Sequence, residues 1–253
     1  MSELPSLEYY KTSANLSLLM SIPKIIVALD YPDAKSALAF TNQVSADLCA
    51  LKVGSELFTA AGPTLIEQLV DQGFKVFLDL KYHDIPNTVA NACRAAASLG
   101  VWMLTVHALG GERMLVAARA AIDGIIGEKP LLIGVTMLTS LAASELGPLG
   151  MSGILTDNVL RLAKLSQQAQ LDGVVCSAQE ISMIREACGE TFCLVTPGIR
   201  PRHYNKQDDQ RRTLTPVEAM AAGANYLVIG RPITQASDPV QTLLTLRESL
   251  YLT

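Results

Sequence analysis

Short apolar runs alternate along the chain with longer segments in which apolar residues recur at helical spacing. The runs are almost continuously apolar, as expected for parallel strands that are buried on both faces. The runs predicted as strands are 24–30, 47–53, 75–81, 101–107, 131–137, 172–176, 192–196 and 226–229. The segments predicted as helices are 34–44, 55–72, 86–99, 112–126, 155–170, 179–187, 216–222 and 233–250. Each predicted strand is therefore followed by a helix.

This repeated strand and helix order predicts an α/β protein with a closed (β/α)8 TIM barrel. The alternative is a doubly wound sheet, but that fold favours a glycine-rich turn after the first strand. Residues 30–33, Asp-Tyr-Pro-Asp, contain no glycine. We expect one barrel domain over residues 23–253. Residues 1–22 are a poor match to a signal peptide and form a short N-terminal extension, which we expect to be dispensable.

Composition and charge narrow the functions open to such a barrel. Hydrophobic residues make up 49% of the chain and charged residues 17%, which favours a large core over disorder. The formal net charge of -4 argues against a surface that binds nucleic acid by bulk charge. No apolar run is long enough to span a membrane. We therefore expect neither nucleic acid nor membrane as a partner.

The five cysteines form no C-x-x-C pair, and most of them lie inside apolar runs. This pattern predicts buried thiols in a reducing cytoplasm. The histidines, His83, His107 and His203, are too scattered to match the spacing of a zinc site. The sequence therefore predicts no metal centre.

Candidate catalytic residues cluster where the predicted strands end, which is where barrel active sites are built. Polar residues at or just past these ends are Asp30, Lys52, Asp79, Lys81, His107, Thr139, Arg200 and Arg231. Asp79 and Lys81 would share one face of a regular strand, and Asp84 follows in the next loop. A cation bracketed by two carboxylates is costly to bury and is not explained by packing. We interpret these three residues as the centre of a catalytic site.

Residues 79–88, Asp-Leu-Lys-Tyr-His-Asp-Ile-Pro-Asn-Thr, match the pattern D-x-K-x-x-D-I-P-N-T without a departure. In this motif the chain resembles the orotidine 5'-phosphate decarboxylase family. Further matching segments, in the family's order, are 28–30, 51–54, 106–108, 136–139, 197–200 and 229–232. The resemblance covers about residue 24 to the end. It implies a homodimeric barrel that uses no cofactor and converts orotidine 5'-monophosphate to uridine 5'-monophosphate (UMP) and carbon dioxide, in de novo pyrimidine biosynthesis.

Such a reaction assigns a defined task to Lys81. Loss of carbon dioxide leaves a carbanion at C6 in the plane of the pyrimidine, where the ring cannot delocalise it. Without an electron sink, the protein must supply a fixed positive charge and a proton at that carbon. Asp79 and Asp84 would favour the ammonium form of Lys81, so we expect an acid and not a Schiff-base lysine. Asp79 either faces the departing carboxylate, as the resemblance implies, or simply orients Lys81.

The resemblance also implies how the ribose is bound. It places Lys52 near the ribose 3'-hydroxyl together with Asp30. It further implies that Asp84 and Thr88 reach across a dimer interface to the ribose of the neighbouring site. Ile85, between them, is expected to contact substrate as well.

The base and phosphate complete the implied set of contacts. Thr139 is expected at the pyrimidine edge, and Pro197 beside the base. Gln210 is expected to touch phosphate and base, with Gln207 as the alternative, in a polar segment, 201–213, that has the composition of a lid. The expected phosphate ligands are Gly230, Arg231 and Arg200, since a glycine allows close backbone approach and arginine offers a rigid fork of donors.

Three other functions are compatible with a barrel of this kind. Magnesium-dependent sugar-phosphate decarboxylases and synthases share D-x-K-x-x-D, but they place a glutamate at the end of strand two, where this chain has Lys52. A Schiff-base aldolase would use Lys81 as an imine-forming amine. A catalytically idle barrel would only bind a ligand.

Overall fold

Eight parallel strands close into a barrel in the computed structural model, which describes residues 23–201 and 214–251. The strands are β1 Ile25–Ala28, β2 Ala50–Gly54, β3 Val76–Tyr82, β4 Met103–His107, β5 Leu131–Val135, β6 Gly173–Val175, β7 Cys193–Thr196 and β8 Tyr226–Ile229. Each strand pairs with the next, and β1 also pairs with β8, which closes the barrel. The predicted (β/α)8 barrel is confirmed, and the doubly wound alternative is wrong.

Helices connect the strands around the outside of the barrel, as the alternation predicts. They are α1 Ala34–Thr41, α2 Ser55–Asp71, α3 Pro86–Ser98, α4 Glu112–Asp123, α5 Leu155–Gln168, α6 Ile181–Cys188, α7 Pro216–Ala221, α8 Arg231–Thr234 and α9 Pro239–Tyr251. Most of these bounds lie within a few residues of the predicted ones. Among the described residues, no helix is long and apolar enough to cross a membrane.

The last predicted helix, 233–250, is wrong as a single element, because the structure divides it into α8 and α9. Pro239 disfavours helical backbone at the residue before it. Asp238 instead accepts a hydrogen bond from the N–H of Gln241 at 2.9 Å, which is the contact of a helix-capping residue. The break leaves α8 as a separate short turn directly after β8.

The core has two layers, one between strands and helices and one inside the barrel. Successive strand residues point in opposite directions, so that Ile25 and Val27 pack outward while Ile26 and Ala28 pack inward. The buried members of the inner layer are Ile26, Ala28, Ala50, Phe77, Met103, Ile133, Val195 and Val228. The inner layer fills the barrel beneath its carboxyl end, so the open space lies above it.

The cysteines belong to this packing. Four of them are buried and Cys193 is half-buried, and all five are free thiols. Burial raises the pKa of Cys49, Cys93 and Cys176 to about 12, which leaves these thiols unreactive at neutral pH. The prediction of buried thiols is confirmed for these positions.

Candidate active site

A cavity of about 240 Å³ opens at the carboxyl ends of the strands. Its floor includes Ala28, Phe77, Val195 and Val228 of the inner core layer. The predicted site residues that line it are Asp30, Lys52, Asp79, Lys81, Thr139, Pro197, Arg200, Gly230 and Arg231. The barrel thus brings together residues from six separate stretches of sequence at one polar mouth.

Four charged side chains form an alternating array across the first three strands. The ammonium Nζ of Lys52 lies 3.6 Å from Asp30 Oδ1 and 3.6 Å from Asp79 Oδ2. Lys81 Nζ lies closer, 2.9 Å from Asp79 Oδ2. The strand register explains this order, because Lys52 pairs with residues of both β1 and β3. Two cations therefore share one central carboxylate.

Asp79 is the buried member of the array, with 8% of its surface exposed. Burial by itself raises the pKa of this carboxyl. The charges of Lys52 and Lys81, with hydrogen bonds from Lys81 and Thr105, outweigh burial and hold the pKa of Asp79 below its usual value. Asp79 is therefore ionised at neutral pH and presents a fixed negative charge to Lys81.

The backbone at Lys81 is not that of a regular strand. Its φ angle is 52°, in the left-handed region that residues other than glycine rarely adopt. The pairing of β3 with β4 also shifts register between Leu78 and Tyr82. The two side chains meet in the cavity, but the backbone that carries them departs from the regular alternation that the prediction assumed.

Asp84, Ile85 and Thr88 lie outside this cavity. All three are exposed around the start of α3, and Ile85 has 68% of its surface exposed. Asp84 Oδ1 accepts a hydrogen bond from the Ile85 N–H at 2.6 Å. Among residues 23–201 and 214–251, the only ion pair of Lys81 is with Asp79. Within one chain, Lys81 is thus paired with one of the two carboxylates that were predicted to flank it.

Gly230 and the two arginines line another part of the cavity wall. A Cβ atom on Gly230 would lie 3.3 Å from the Ala28 Cβ and 3.4 Å from Asp30 Oδ2, so this position favours glycine. Arg200 donates from its side chain to the Ile199 carbonyl at 2.8 Å. Its backbone N–H donates to the Leu214 carbonyl at 3.0 Å. Gln210, Gln207 and residues 202–213 of the predicted lid lie outside the described residues.

Sequence reasoning missed two groups of residues at this site. One is an apolar wall that includes Val135, Met137 and Leu138. The other is Thr105 on β4, which is fully buried and bonded to both Asp79 and the Lys81 backbone. A threonine within an apolar strand is easily mistaken for β-branched packing. The one feature of the sequence that could have identified Thr105 was its hydroxyl group, two residues before His107 at the end of the strand.

His107 ends β4 but is not among the residues that line the cavity, and it stacks on His83 with ring centroids 5.3 Å apart. Burial, followed by the charges of His83 and Lys81, lowers the pKa of His107 to about 4. Its Nδ1 accepts a hydrogen bond from the Leu109 N–H at 3.3 Å. The ring is therefore neutral at pH 7 and has the contacts of a structural histidine.

Comparison with known proteins identifies the family. The profile of the "Orotidine 5'-phosphate decarboxylase / HUMPS family" matches residues 23–246. Orotidine 5'-phosphate decarboxylase of Hydrogenovibrio crunogenus is 56% identical over 228 residues, covering 90% of this chain and 96% of that protein. The enzyme of the same name from Neisseria meningitidis serogroup A is 56% identical over 219 residues, 87% of this chain and 89% of that one.

The fold indicates the same family. The crystal structure of orotidine 5'-phosphate decarboxylase from Lactobacillus acidophilus superposes with a TM-score of 0.82 at 38% sequence identity. The match covers 91% of this chain and 100% of that one. Sequence and structure thus agree over nearly the whole barrel, and the chain belongs to the orotidine 5'-phosphate decarboxylase / HUMPS family.

Proposed function

We propose that this protein is an enzyme of pyrimidine biosynthesis that decarboxylates orotidine 5'-monophosphate to UMP and carbon dioxide, without a cofactor. Membership of the family and the names of its relatives support this reaction. The observation that carries the mechanism is the Lys81 ammonium, 2.9 Å from the buried carboxylate of Asp79 in the barrel mouth. The buried thiols suit the cytoplasm, where we place the enzyme.

Lys81 supplies the charge and the proton. When the bond between C6 and the carboxylate breaks, its electron pair stays on C6 and carbon dioxide leaves. The ammonium stabilises the developing negative charge because it is already fixed in place beside that carbon. Lys81 Nζ then donates its proton to C6, which gives UMP, and the neutral amine is reprotonated from water.

Asp79 orients the Lys81 ammonium in this mechanism. The 2.9 Å contact and the low pKa of Asp79 both support that role. The second role, repulsion of the substrate carboxylate, would raise the ground state relative to the transition state. Either role acts on the chemical step, so substitution of Asp79 should reduce kcat more than it weakens binding.

The remaining cavity residues bind the nucleotide. We assign Lys52 and Asp30 to the ribose hydroxyls, because their ion pair lies next to Asp79 and Asp30 is largely exposed to a ligand. Thr139 and Pro197 contact the base. Arg231, Arg200 and Gly230 bind the phosphate. Gln210, or alternatively Gln207, stays the predicted contact to phosphate and base and lies outside the described residues.

The phosphate assignment predicts a substrate-dependent effect of Arg231→Lys. Lysine keeps the charge but loses the fork of donors, so KM for orotidine 5'-monophosphate should rise about 10- to 100-fold. Turnover of orotidine, which has no phosphate, should be unchanged. Arg113→Lys, on the exposed face of α4, is the matched control and should behave as the parent. Equal losses on both substrates would assign Arg231 to a different task.

We further propose that the enzyme is a homodimer in which Asp84 and Thr88 act in the partner's site. The support is their position, since they lie outside their own cavity at an exposed surface that includes Ile85. Ile85 would then contact the substrate bound to the neighbouring chain.

The first relevant experiment is an activity assay. Purified protein is mixed with orotidine 5'-monophosphate and the pyrimidine absorbance is followed, with and without a chelator. We expect turnover that the chelator does not change. A magnesium-dependent activity on a ketose phosphate would instead support the sugar-phosphate alternative. The ammonium of Lys52 argues against that alternative, because it would repel a metal ion.

Borohydride trapping with substrate tests the Schiff-base alternative. If the protein turns over neither orotidine 5'-monophosphate nor a ketose phosphate, an idle barrel would be favoured.

The N-terminal extension is expected to be dispensable, because the family match begins at residue 23. A protein that lacks residues 1–19 should show the same kcat and KM as the full chain. The check is steady-state kinetics on both proteins after gel filtration. A folded but inactive truncated protein would show that these residues serve the site.

A further inference from the structure

The hydroxyl of Thr105 joins the two residues at the centre of the charge array. Its Oγ1 accepts a hydrogen bond from the backbone N–H of Lys81 at 2.9 Å. The same hydroxyl donates to Asp79 Oδ1 at 3.1 Å. A hydroxyl carries one proton and can accept as well as donate, so both bonds can exist together. Thr105 has no exposed surface, and water therefore does not compete for either bond.

Thr105 is also the single residue opposite the bulge of β3. Leu78 pairs with Leu104, and Tyr82 pairs with Val106. Residues 79–81 of β3 therefore face only Thr105 of β4. A bulge leaves backbone groups without their ladder partners. The Thr105 side chain provides the partner that the neighbouring backbone does not offer to the Lys81 N–H.

This bond acts on the strained residue of the site. Lys81 has a φ angle of 52°, and such a conformation costs free energy unless its surroundings hold it. The second bond fixes the carboxylate that the Lys81 ammonium contacts at 2.9 Å. One side chain thus restrains both the backbone from which the ammonium projects and the carboxylate against which it rests.

We propose that Thr105 is a positioning residue that sets the placement of the Lys81 ammonium relative to the Asp79 carboxylate. This inference rests on the proposed decarboxylation, in which that ammonium must meet C6. Thr105 is buried and does not line the cavity, so we do not expect it to touch the substrate. Its effect should therefore appear in the chemical step and not in the binding of nucleotide.

The test compares Thr105→Val, which keeps the shape and removes the hydroxyl, with Thr105→Ser, which keeps the hydroxyl. We expect kcat of the valine variant to fall about 10- to 100-fold, the range for loss of a hydrogen bond to a charged group, with KM within about threefold of the parent. The serine variant should retain kcat within about threefold. Thr136→Val is the matched control, because Thr136 is equally buried but its hydroxyl donates to the Val175 carbonyl. It should lose stability without losing kcat.

Several results would overturn the proposal. These are a valine variant with the kcat of the parent, a serine variant as impaired as the valine variant, or a loss confined to KM. If the valine variant does not fold, Thr105→Ala and Thr105→Ser are compared instead. Equal kcat values for these two variants would also overturn the proposal.

Failure of this inference is distinguishable from failure of the proposed function. A parent protein that turns over orotidine 5'-monophosphate, with a valine variant that does so equally well, refutes only the role of Thr105. A parent that does not turn it over refutes the function. In that case, crystal structures still test Thr105, because Lys81 should leave the left-handed region in the valine variant. An unchanged Lys81 backbone and an unchanged contact with Asp79 would refute the positioning role.

Discussion

Lys81→Ala should lower kcat for orotidine 5'-monophosphate by about 10⁴-fold or more. Fixed electrostatic stabilisation is worth about 10²- to 10³-fold, and general acid catalysis about 10²- to 10⁴-fold, and this one side chain provides both. The variant should still bind UMP, because the arginines and the ribose-binding residues are intact. The measurements are the pyrimidine absorbance assay and calorimetric titration with UMP.

Lys35→Ala is the matched control for this experiment, since Lys35 is exposed on α1. It should have the kinetics of the parent. Residual activity of Lys81→Ala above about one hundredth of the parent, with normal folding, would show that another group protonates C6. Loss of UMP binding in the variant would instead show that Lys81 mainly holds the nucleotide.

Two inactive variants should restore activity to each other if the sites are shared between chains. Asp84→Ala should lower kcat/KM by about 100-fold or more, since it removes a charged group from the neighbouring site. In a heterodimer of Asp84→Ala with Lys81→Ala, one site receives intact Lys81 from one chain and intact Asp84 from the other. Each mixed dimer has one complete site out of two, so a purified mixed dimer should show about half of the parent activity.

The control pairs Lys81→Ala with Asp79→Ala. These two residues belong to the same cavity, so neither mixed site is complete and co-expression should restore nothing. Activity is measured on co-expressed, tandem-tagged dimers to exclude the unmixed forms. No recovery with the Asp84 pair, or full activity of Asp84→Ala alone, would show that each barrel works by itself.

The barrel was predictable because strands covered on both faces must be apolar almost throughout, and helices must separate them. The cavity charges were predictable for a related reason. Asp30, Lys52 and Arg231 follow apolar runs directly, and the ends of parallel strands in a barrel share one mouth. Pattern and topology together were sufficient to place these residues.

Other features depend on contacts between distant residues. The left-handed backbone of Lys81 has no local signal, because lysine has no preference for it and its support comes from β4. Thr105 could not be distinguished from ordinary strand packing, because its two hydrogen bonds are to residues of β3, which are distant in sequence. Asp84 was expected beside Lys81 from its nearness in sequence, but the chain turns away at α3 and separates them. Two breaks within predicted helices did have a local signal in proline, at Gly62–Pro63 inside α2 and at Asp238–Pro239 between α8 and α9.

In the pairing of β3 with β4, three residues of β3 lie opposite a single residue of β4. This arrangement has a consequence for protein engineering. A designer who grafts the motif 79–88 onto another barrel would transfer the lysine and aspartate without the neighbour that supports them. The recipient strand would return to regular pleating, and the amine would point along a different vector. If Thr105 positions Lys81 as proposed, a graft of this lysine and aspartate should therefore include the adjacent strand with its hydroxyl, and not the linear motif alone.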